Sequence, residues 1–473
     1  MKKAEIGLYG IGTMGRALAL NFAENGVSVV VGNRELDQIA AFIRAAGPLA
    51  ERIRGTERLE DLVAGLQVPR TVLFMIPSGD PVDQMIAQLA PLLEPGDTII
   101  DGGNADFHDT RRRSDALAAK GLHFVGMGVS GGEEGARHGP SMMVGGSDDS
   151  WRTFRPMAEK IAAKYGDFPC VAHVGPDGAG HFVKTVHNGI EYADMGMIAE
   201  IYGLLRDGAG WEAARIGALF GDWTTGPLAS FLVEVTAHVL ATTDRETGLP
   251  LVDLIRDTAG QKGTGRWTVI EALHLGQSAS AIEAAVAARN WSSEAATRAV
   301  AADVLSPGGA AAARIPSADV LAGALRAGRI LAHAQGFRIL RAASVEYGWS
   351  LDPAQIADIW RAGCIIRSDL LNEIAGAFRA GAPEGELVLS PAMQIALAET
   401  VPGLRATVGA AVAAGLPVPG LAAALGWYDS LRQARGTANL IQAQRDFFGA
   451  HRFERTDGGG PVHADWASGE MTG

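Results

Sequence analysis

The chain has 473 residues, 47% of them hydrophobic and 20% charged, too many for one hydrophobic core and ordinary for a multi-domain globular protein. A formal net charge of -12 argues against nonspecific binding to nucleic acid or to an anionic membrane, while leaving room for a local basic pocket. The two cysteines, Cys170 and Cys364, stand far apart without metal spacing, so neither a disulfide framework nor a metal site is readable.

In chain order, residues 1–178 alternate short β-branched runs with amphipathic stretches. "EIGLYG", "VSVVVG", "TVLFMI", "DTIID" and "LHFVGM" read as buried strands, with helices over 13–25 and 36–46. That alternation predicts an α/β, Rossmann-like, mostly parallel sheet, with "GPSMMVGG" and "PCVAHVG" as added strands near its edge. The basic start "MKKAEIGLYGIG" runs into a glycine loop too soon for a signal peptide. In "IGLYGIGTMG", Gly10, Gly12 and Gly15 fall directly after a strand and open a helix. This is the arrangement that cradles a dinucleotide pyrophosphate at a helix N-terminus. The next strand ends in Asn33, where an acid would hold the 2′-hydroxyl of NAD. Arg34, which can pair with a 2′-phosphate, follows, and then Glu35, which would repel it.

After the turn "GPDGAG" (175–180) the strand signal nearly vanishes, and a large all-α domain is expected over 179–435. Its first helix holds "GHFVKTVHNGIEYADM", with Lys184, His187, Asn188 and Glu191 at i, i+3, i+4 and i+7 and so on one face. Phe182, Val186, Ile190 and Met197 supply the apolar stripe opposite. Read alone, the polar face is either an ordinary solvated surface or a functional constellation. Residues 406–428 are uncharged and long enough to span a bilayer, but Pro417, Pro419 and four glycines favour a loop between buried helices. The tail, 436–473, carries "QRDFFGAHRFER", which read alone is a helix end packed on its own domain, and then "TDGGGPVHADWASGEMTG", which has too few apolar residues to form a core of its own and should order only against a preformed surface.

Taken together, "GIGTMGRALALNFAENG", "DGGNADFHDTRRR", "FVGMGVSGGEEGARHGPSMMVGG", "KTVHNGIEYADM", "AGQKGTGRWT", "WRAGCIIRS" and "QRDFFGAHRFER" closely resemble decarboxylating 6-phosphogluconate dehydrogenase. The resemblance is to the long form of that family, within the β-hydroxyacid dehydrogenases, and runs in order from residue 6 to about 466. It implies a homodimer in the cytoplasm, with active sites completed by the partner's tail, and conversion of 6-phospho-D-gluconate to D-ribulose 5-phosphate and carbon dioxide with NADP, or NAD, as oxidant. Neither nucleic acid nor a membrane is an expected partner.

By that resemblance Lys184 is the general base and Glu191 the acid. Substrate would be bound by Asn104, Ser130, Gly131, Gly132, His187, Asn188, Tyr192, Lys262, Thr264 and Arg289, with Arg445 and His451 contributed by the tail. Cofactor would lie on Gly10, Gly12, Thr13, Met14, Gly15, Asn33, Arg34 and Asn104, and no metal is implied. Outside the family frame, asparagine and glycine serve turns equally well, "QKGTG" is a flexible loop and Arg289 a helix-surface charge. Lys184 should need burial beside other positive groups to act as a base near neutrality. The chain departs from the family on the cofactor side: "IPSGDPVD", with Pro77 and Ser78, replaces a lysine-bearing stretch, and Glu35 replaces a threonine or serine. Phe447 and Arg452 stand where tyrosine and threonine are common. A β-hydroxyacid dehydrogenase acting on an acid without phosphate would not need Lys262, Arg289, Arg445 and His451 together, and a silent dinucleotide-binding protein would not need both Lys184 and Glu191.

Overall fold

The computed structural model describes residues 2–305 and 314–472. The chain divides into a larger compact unit ending at Ala424 and a smaller one beginning at Leu425. In the larger unit β1 (Ile6–Tyr9), β2 (Val29–Gly32), β3 (Ile53–Gly55), β4 (Thr71–Phe74), β5 (Thr98–Asp101), β6 (His123–Ser130) and β7 (Ser141–Val144) are followed by a small hairpin of β8 (Lys164–Tyr165) and β9 (Phe168–Pro169), then by β10 (Val171–His173). Eight of these form one sheet in the order β10-β7-β6-β5-β4-β1-β2-β3, parallel throughout except where β6 meets β7. The order reverses at β1, which is where a doubly wound sheet opens its ligand crevice.

Alternation along each strand fills both faces. Ile6, Leu8, Val29, Val31, Leu73 and Ile100 join one core with Leu18 and Phe22 of helix Thr13–Glu24. Val30, Val72, Phe74, Ile99 and Phe124 join the other with Leu62 and Leu117. The expected strands and both expected helices form, and "GPSMMVGG" and "PCVAHVG" supply β7 and β10 at one edge. The opposite edge strand, β3, was not foreseen: it is three residues long, carries Arg54 and buries only Ile53 fully.

Beyond residue 178 the unit is built on helix Ala179–Gly203 and helices Ala318–Glu346 and Pro391–Ala414. Helix Pro391–Ala414 is long and apolar enough, by length and composition only, to cross a membrane. It packs along helix Ala318–Glu346 and buries Met393, Leu397, Val401 and Leu404. The reading of 406–428 as a loop needs correction: only 415–418 connect, because helix Pro391–Ala414 continues to a left-handed Gly415 and a new helix starts at Pro419. Proline at a helix's first position lacks only an N–H that would be unpaired anyway, so Pro419 initiates rather than breaks.

The smaller unit contains helix Ala438–Gly449 and a hairpin of β11 (His463–Ala464) and β12 (Met471–Thr472). The helix and the hairpin are joined through a carboxylate. Asp446 accepts hydrogen bonds from the backbone N–H groups of Arg452 (2.8 Å) and Ala464 (3.1 Å) and from the Trp466 indole (3.0 Å), with the His463 ring 3.0 Å away. The surface that orders the last segment therefore includes this unit's own helix.

Candidate active site

Helix Ala179–Gly203 is buried on nearly every side, so the solvated-face alternative fails for its polar stripe. Phe182, Val186, Ile190 and Met197 are fully buried, and so are His187 and, to within a few per cent, Lys184. The side chains on this stripe are wired together. Lys184 Nζ donates to Ser130 Oγ at 3.1 Å and lies 3.3 Å from His187 Nδ1. Ser130 Oγ is 3.3 Å from His187 Nε2, His187 Nδ1 is 3.2 Å from Asn188 Oδ1, and Asn188 Nδ2 donates to Thr264 Oγ1 at 2.9 Å. Four of the five are satisfied when neutral His187 carries its proton on Nδ1 toward Asn188 Oδ1 and accepts the Ser130 hydroxyl at Nε2; the Lys184 Nζ–Nδ1 approach is then a close contact, not a further hydrogen bond. Glu191 Oε2 sits 3.7 Å from His187 Nδ1, one turn on.

Electrostatics separates the two titratable ends of this stripe. Burial pushes the Lys184 amine below its ordinary range, against the pull of Glu191 and Cys364. Burial also drives His187 well down, with Lys184 adding to the effect, so the imidazole is neutral. Glu191 moves the other way: burial raises it, opposed by Lys184 and Arg289 and helped by Asp194. The expected burial thus depresses Lys184, whereas the positive groups expected beside it have no part in the shift, and the charged neighbours that act on it oppose it. An amine held below its usual range and a carboxyl held above its own, two turns apart on one helix face, suit acid–base chemistry.

Other segments close the site. Ser130 ends β6, and Gly131 and Gly132 follow with φ of +111° and +63°, opening the short helix Gly132–His138. Thr264 is buried at the start of helix Thr264–His274, while Lys262, just before it, is exposed. The Arg289 guanidinium lies 3.4 Å from the centre of the Tyr192 ring and donates to the Gly260 carbonyl, so Tyr192, Arg289 and the "GQKGTG" loop meet. Asn104 stands exposed on the loop leaving β5, outside this hydrogen-bonded cluster. Arg445 and His451 belong to the smaller unit, where both are exposed and Arg445 donates to Gln442.

Three features escaped the sequence reading. Trp360 of "WRAGCIIRS" packs edge-on against His187, 5.4 Å between ring centres, and the Cys364 thiol is pushed up to about 12 by burial, so it stays protonated. Beneath Glu191 on the same helix, Asp194 forms a fully buried ion pair with Arg329 at 3.2 Å. Gly128 lies directly against Lys184. All three pair groups distant in sequence, and none carries a local pattern.

At the sheet's crevice the glycine loop fits a dinucleotide. Gly10 has φ +99°, and a Cβ there would fall 2.5 Å from the Met75 carbonyl oxygen; one on Gly15 would fall 1.9 Å from the Gly10 carbonyl oxygen. At Gly12, by contrast, the same position has no neighbour within 4 Å, which leaves the open backbone approach a pyrophosphate requires. Thr13 and Met14 follow as the first turn of helix Thr13–Glu24. Asn33 is nearly buried and accepts a hydrogen bond from the Ile11 N–H at 3.2 Å, tying the end of β2 to this loop. Arg34 is exposed and paired with Glu35.

Comparison with known proteins agrees with both halves. Residues 5–175 match the NAD binding domain of 6-phosphogluconate dehydrogenase, and residues 180–466 match that enzyme's C-terminal domain. A decarboxylating 6-phosphogluconate dehydrogenase of Synechococcus elongatus is 46% identical, with 98% of this chain and 100% of the relative aligned. Two Bacillus subtilis relatives, one NADP(+)-dependent and one NAD(+)-dependent, are each 43% identical over 98% of this chain and at least 99% of their own length. The solved structure of Plasmodium falciparum 6-phosphogluconate dehydrogenase, described in its apo form and with NADP+ and with 6-phosphogluconate, superposes with a TM-score of 0.94 at 36% identity, covering 98% of this chain and 100% of that one. The chain belongs to the 6-phosphogluconate dehydrogenase family.

Proposed function

We infer that this protein oxidises and decarboxylates 6-phospho-D-gluconate to D-ribulose 5-phosphate and carbon dioxide. The observation that carries the mechanism is the pairing of a buried amine held below its usual range with a carboxyl held above its own, on one helix face. Neutral Lys184 takes the proton of the substrate 3-hydroxyl. The glycine loop, Thr13, Met14, Asn33, Arg34 and Asn104 would hold a nicotinamide cofactor, which would supply the oxidant for the hydride that leaves C3. The resulting 3-keto acid loses its carboxylate as carbon dioxide, because the β-keto group receives the electron pair. Lys184, now an ammonium, returns its proton to the developing enediolate oxygen; Glu191 then protonates the carbon that bore the carboxylate while the neutral Lys184 amine takes the enediol hydroxyl proton back, leaving the ketone. Ser130 and His187 fix the amine, and Asn188 and Thr264 fix His187 in turn.

Substrate recognition follows from the same cluster. Ser130 with the backbone of Gly131 and Gly132 suits a carboxylate, and Asn104 and Asn188 suit hydroxyls. Tyr192, Lys262, Thr264 and Arg289 suit the phosphate, because Arg289 and the "GQKGTG" loop meet over Tyr192. We further propose a soluble, cytoplasmic homodimer in which Arg445 and His451 complete the partner's phosphate site. The support is the family resemblance of "QRDFFGAHRFER" and the exposure of Phe447 and Phe448, which leaves an apolar face to cover. Incubating the purified protein with 6-phosphogluconate and each nicotinamide cofactor, while following cofactor reduction and carbon dioxide release, tests the activity. Reduction without carbon dioxide would point instead to a dehydrogenase that does not decarboxylate.

A further inference from the structure

We propose that Glu35 sets coenzyme choice by occupying the guanidinium that a 2′-phosphate needs. This rests on the dinucleotide reading of the glycine loop. Both Arg34 Nε (2.8 Å) and Arg34 Nη2 (2.6 Å) donate to one oxygen of Glu35. The other Glu35 oxygen accepts from Asn33 Nδ2 at 3.2 Å, and Asn33 Oδ1 in turn accepts from the Ile11 N–H of the glycine loop at 3.2 Å. The carboxylate is therefore tethered to the cofactor crevice and is not a wandering surface acid. The Arg34 contact holds the Glu35 carboxyl below its usual range, so it is ionised at neutral pH. The nearby cation Arg16 is committed elsewhere, to the Ile11 carbonyl and to Gln38.

The chemistry of the two coenzymes divides on this pair. A ribose 2′-hydroxyl is a donor and can use the carboxylate as it stands. A 2′-phosphate is an anion, which Glu35 repels and which reaches Arg34 only when the ion pair opens. Arg34 is 88% exposed and Glu35 41%, and solvent-exposed pairs of this kind hold weakly. Opening is therefore cheap, and both coenzymes are used, with Glu35 handicapping the phosphorylated one. Glu35 caps no backbone N–H of the helix it precedes, so replacing it should leave the fold intact.

Calorimetric binding of adenosine 2′,5′-bisphosphate and of 5′-AMP to the full chain isolates this step from catalysis. Glu35→Gln should tighten the bisphosphate about tenfold relative to 5′-AMP, and should raise the NADP over NAD ratio of kcat/KM by a similar factor. In an Arg34→Ala background the same substitution should gain less than about threefold, because the guanidinium it frees is gone. A ratio that stays within twofold of wild type overturns the proposal while leaving dinucleotide binding intact. Equal gains with and without Arg34 would also overturn it, since Glu35 would then act by general repulsion. If neither nucleotide nor either coenzyme binds the unmodified protein, the dinucleotide reading itself fails.

Discussion

The base of the Lys184 side chain occupies the space that a side chain on Gly128 would need: a Cβ on Gly128 would stand 2.3 Å from the Lys184 Cβ. The glycine lies inside β6 and the lysine on helix Ala179–Gly203, so the helix approaches the strand as closely as it does only because β6 has no side chain there. Two residues later the same strand delivers Ser130 to the lysine's Nζ. The reach of the amine is thus set by a missing methyl group.

Gly128→Ala should therefore act on catalysis more than on binding. The helix must move away by roughly an ångström, and a misplacement of that order costs about a hundredfold in rate. We expect kcat to fall about that far, substrate KM to change only a few-fold, and the melting temperature to drop modestly from overpacking. Unchanged kcat in a folded variant would mean that the helix absorbs the methyl without moving Lys184.

The acid–base pair makes a prediction about pH. A base must be deprotonated and an acid protonated, so activity rises as the amine loses its proton and falls as the carboxyl loses its own. Because Glu191 itself opposes the lowering of Lys184, the two limbs of the profile belong to the pair. Lys184→Met should lower kcat by about 10²–10⁴-fold with substrate binding largely kept, and Glu191→Ala should slow turnover after oxidation. The lysine's folded pKa lies below its unfolded value, so the unfolded state binds more protons and the amine costs stability at neutral pH, less so as pH rises toward about 10.4. Lys184→Met should then be more stable than wild type at neutral pH by about 0.5–2 kcal/mol, and the difference should shrink in alkali. A less stable variant at neutral pH would show that the amine's hydrogen bonds outweigh its desolvation.

Asp446 gives the smaller unit a different pH signature. Burial disfavours its charge, but the Ala464 N–H, the His463 ring, the Arg452 N–H and the Trp466 indole outweigh that and hold it at about 2. Its folded pKa is depressed, so its stabilising effect is complete above the ordinary aspartate value near 3.9 and is lost as pH falls through about 2. Asp446→Asn should loosen the hairpin at neutral pH as acid loosens it in wild type. Hydrogen exchange at the Ala464 and Arg452 amides, corrected for intrinsic rates, reads this directly, and full protection in the asparagine variant would remove Asp446 as the hub.

What the sequence reveals depends on how local each feature is. The sheet is legible because runs such as Val29–Gly32 and Thr71–Phe74 are wholly buried and flanked by turns, whereas β3 is too short and too polar to register. Lys184, His187, Asn188 and Glu191 are legible because one helix spaces them. Ser130 and Thr264 reach the same cluster from other segments, and without the family resemblance nothing near them in sequence marks the meeting. The Asp446 hub needs a hairpin to fold back on a helix, so its partners look like an unstructured glycine-rich tail. At 406–428 an apolar, proline-bearing run misleads, because proline at a first helical position marks a beginning.

The tail supplies the last prediction. "QRDFFGAHRFER" carries Arg445 and His451, and in the proposed homodimer these serve the other subunit's phosphate site. Each active site then draws Lys184 from one chain and Arg445 from its partner. Lys184→Met and Arg445→Ala homodimers would each carry a lesion in both sites, so each should be nearly inactive at low substrate. Mixed under subunit exchange, they form heterodimers with one site bearing both lesions and the other bearing neither. Activity should therefore reappear, at about half the wild-type level per heterodimer, with wild-type KM, as the two-fold symmetry of such an interface requires. Truncation after residue 435 should raise KM sharply and weaken the dimer together. If exchange is verified by mass and no activity returns, Arg445 serves its own subunit, and the tail's exposed phenylalanines, Phe447 and Phe448, must be covered for some other reason.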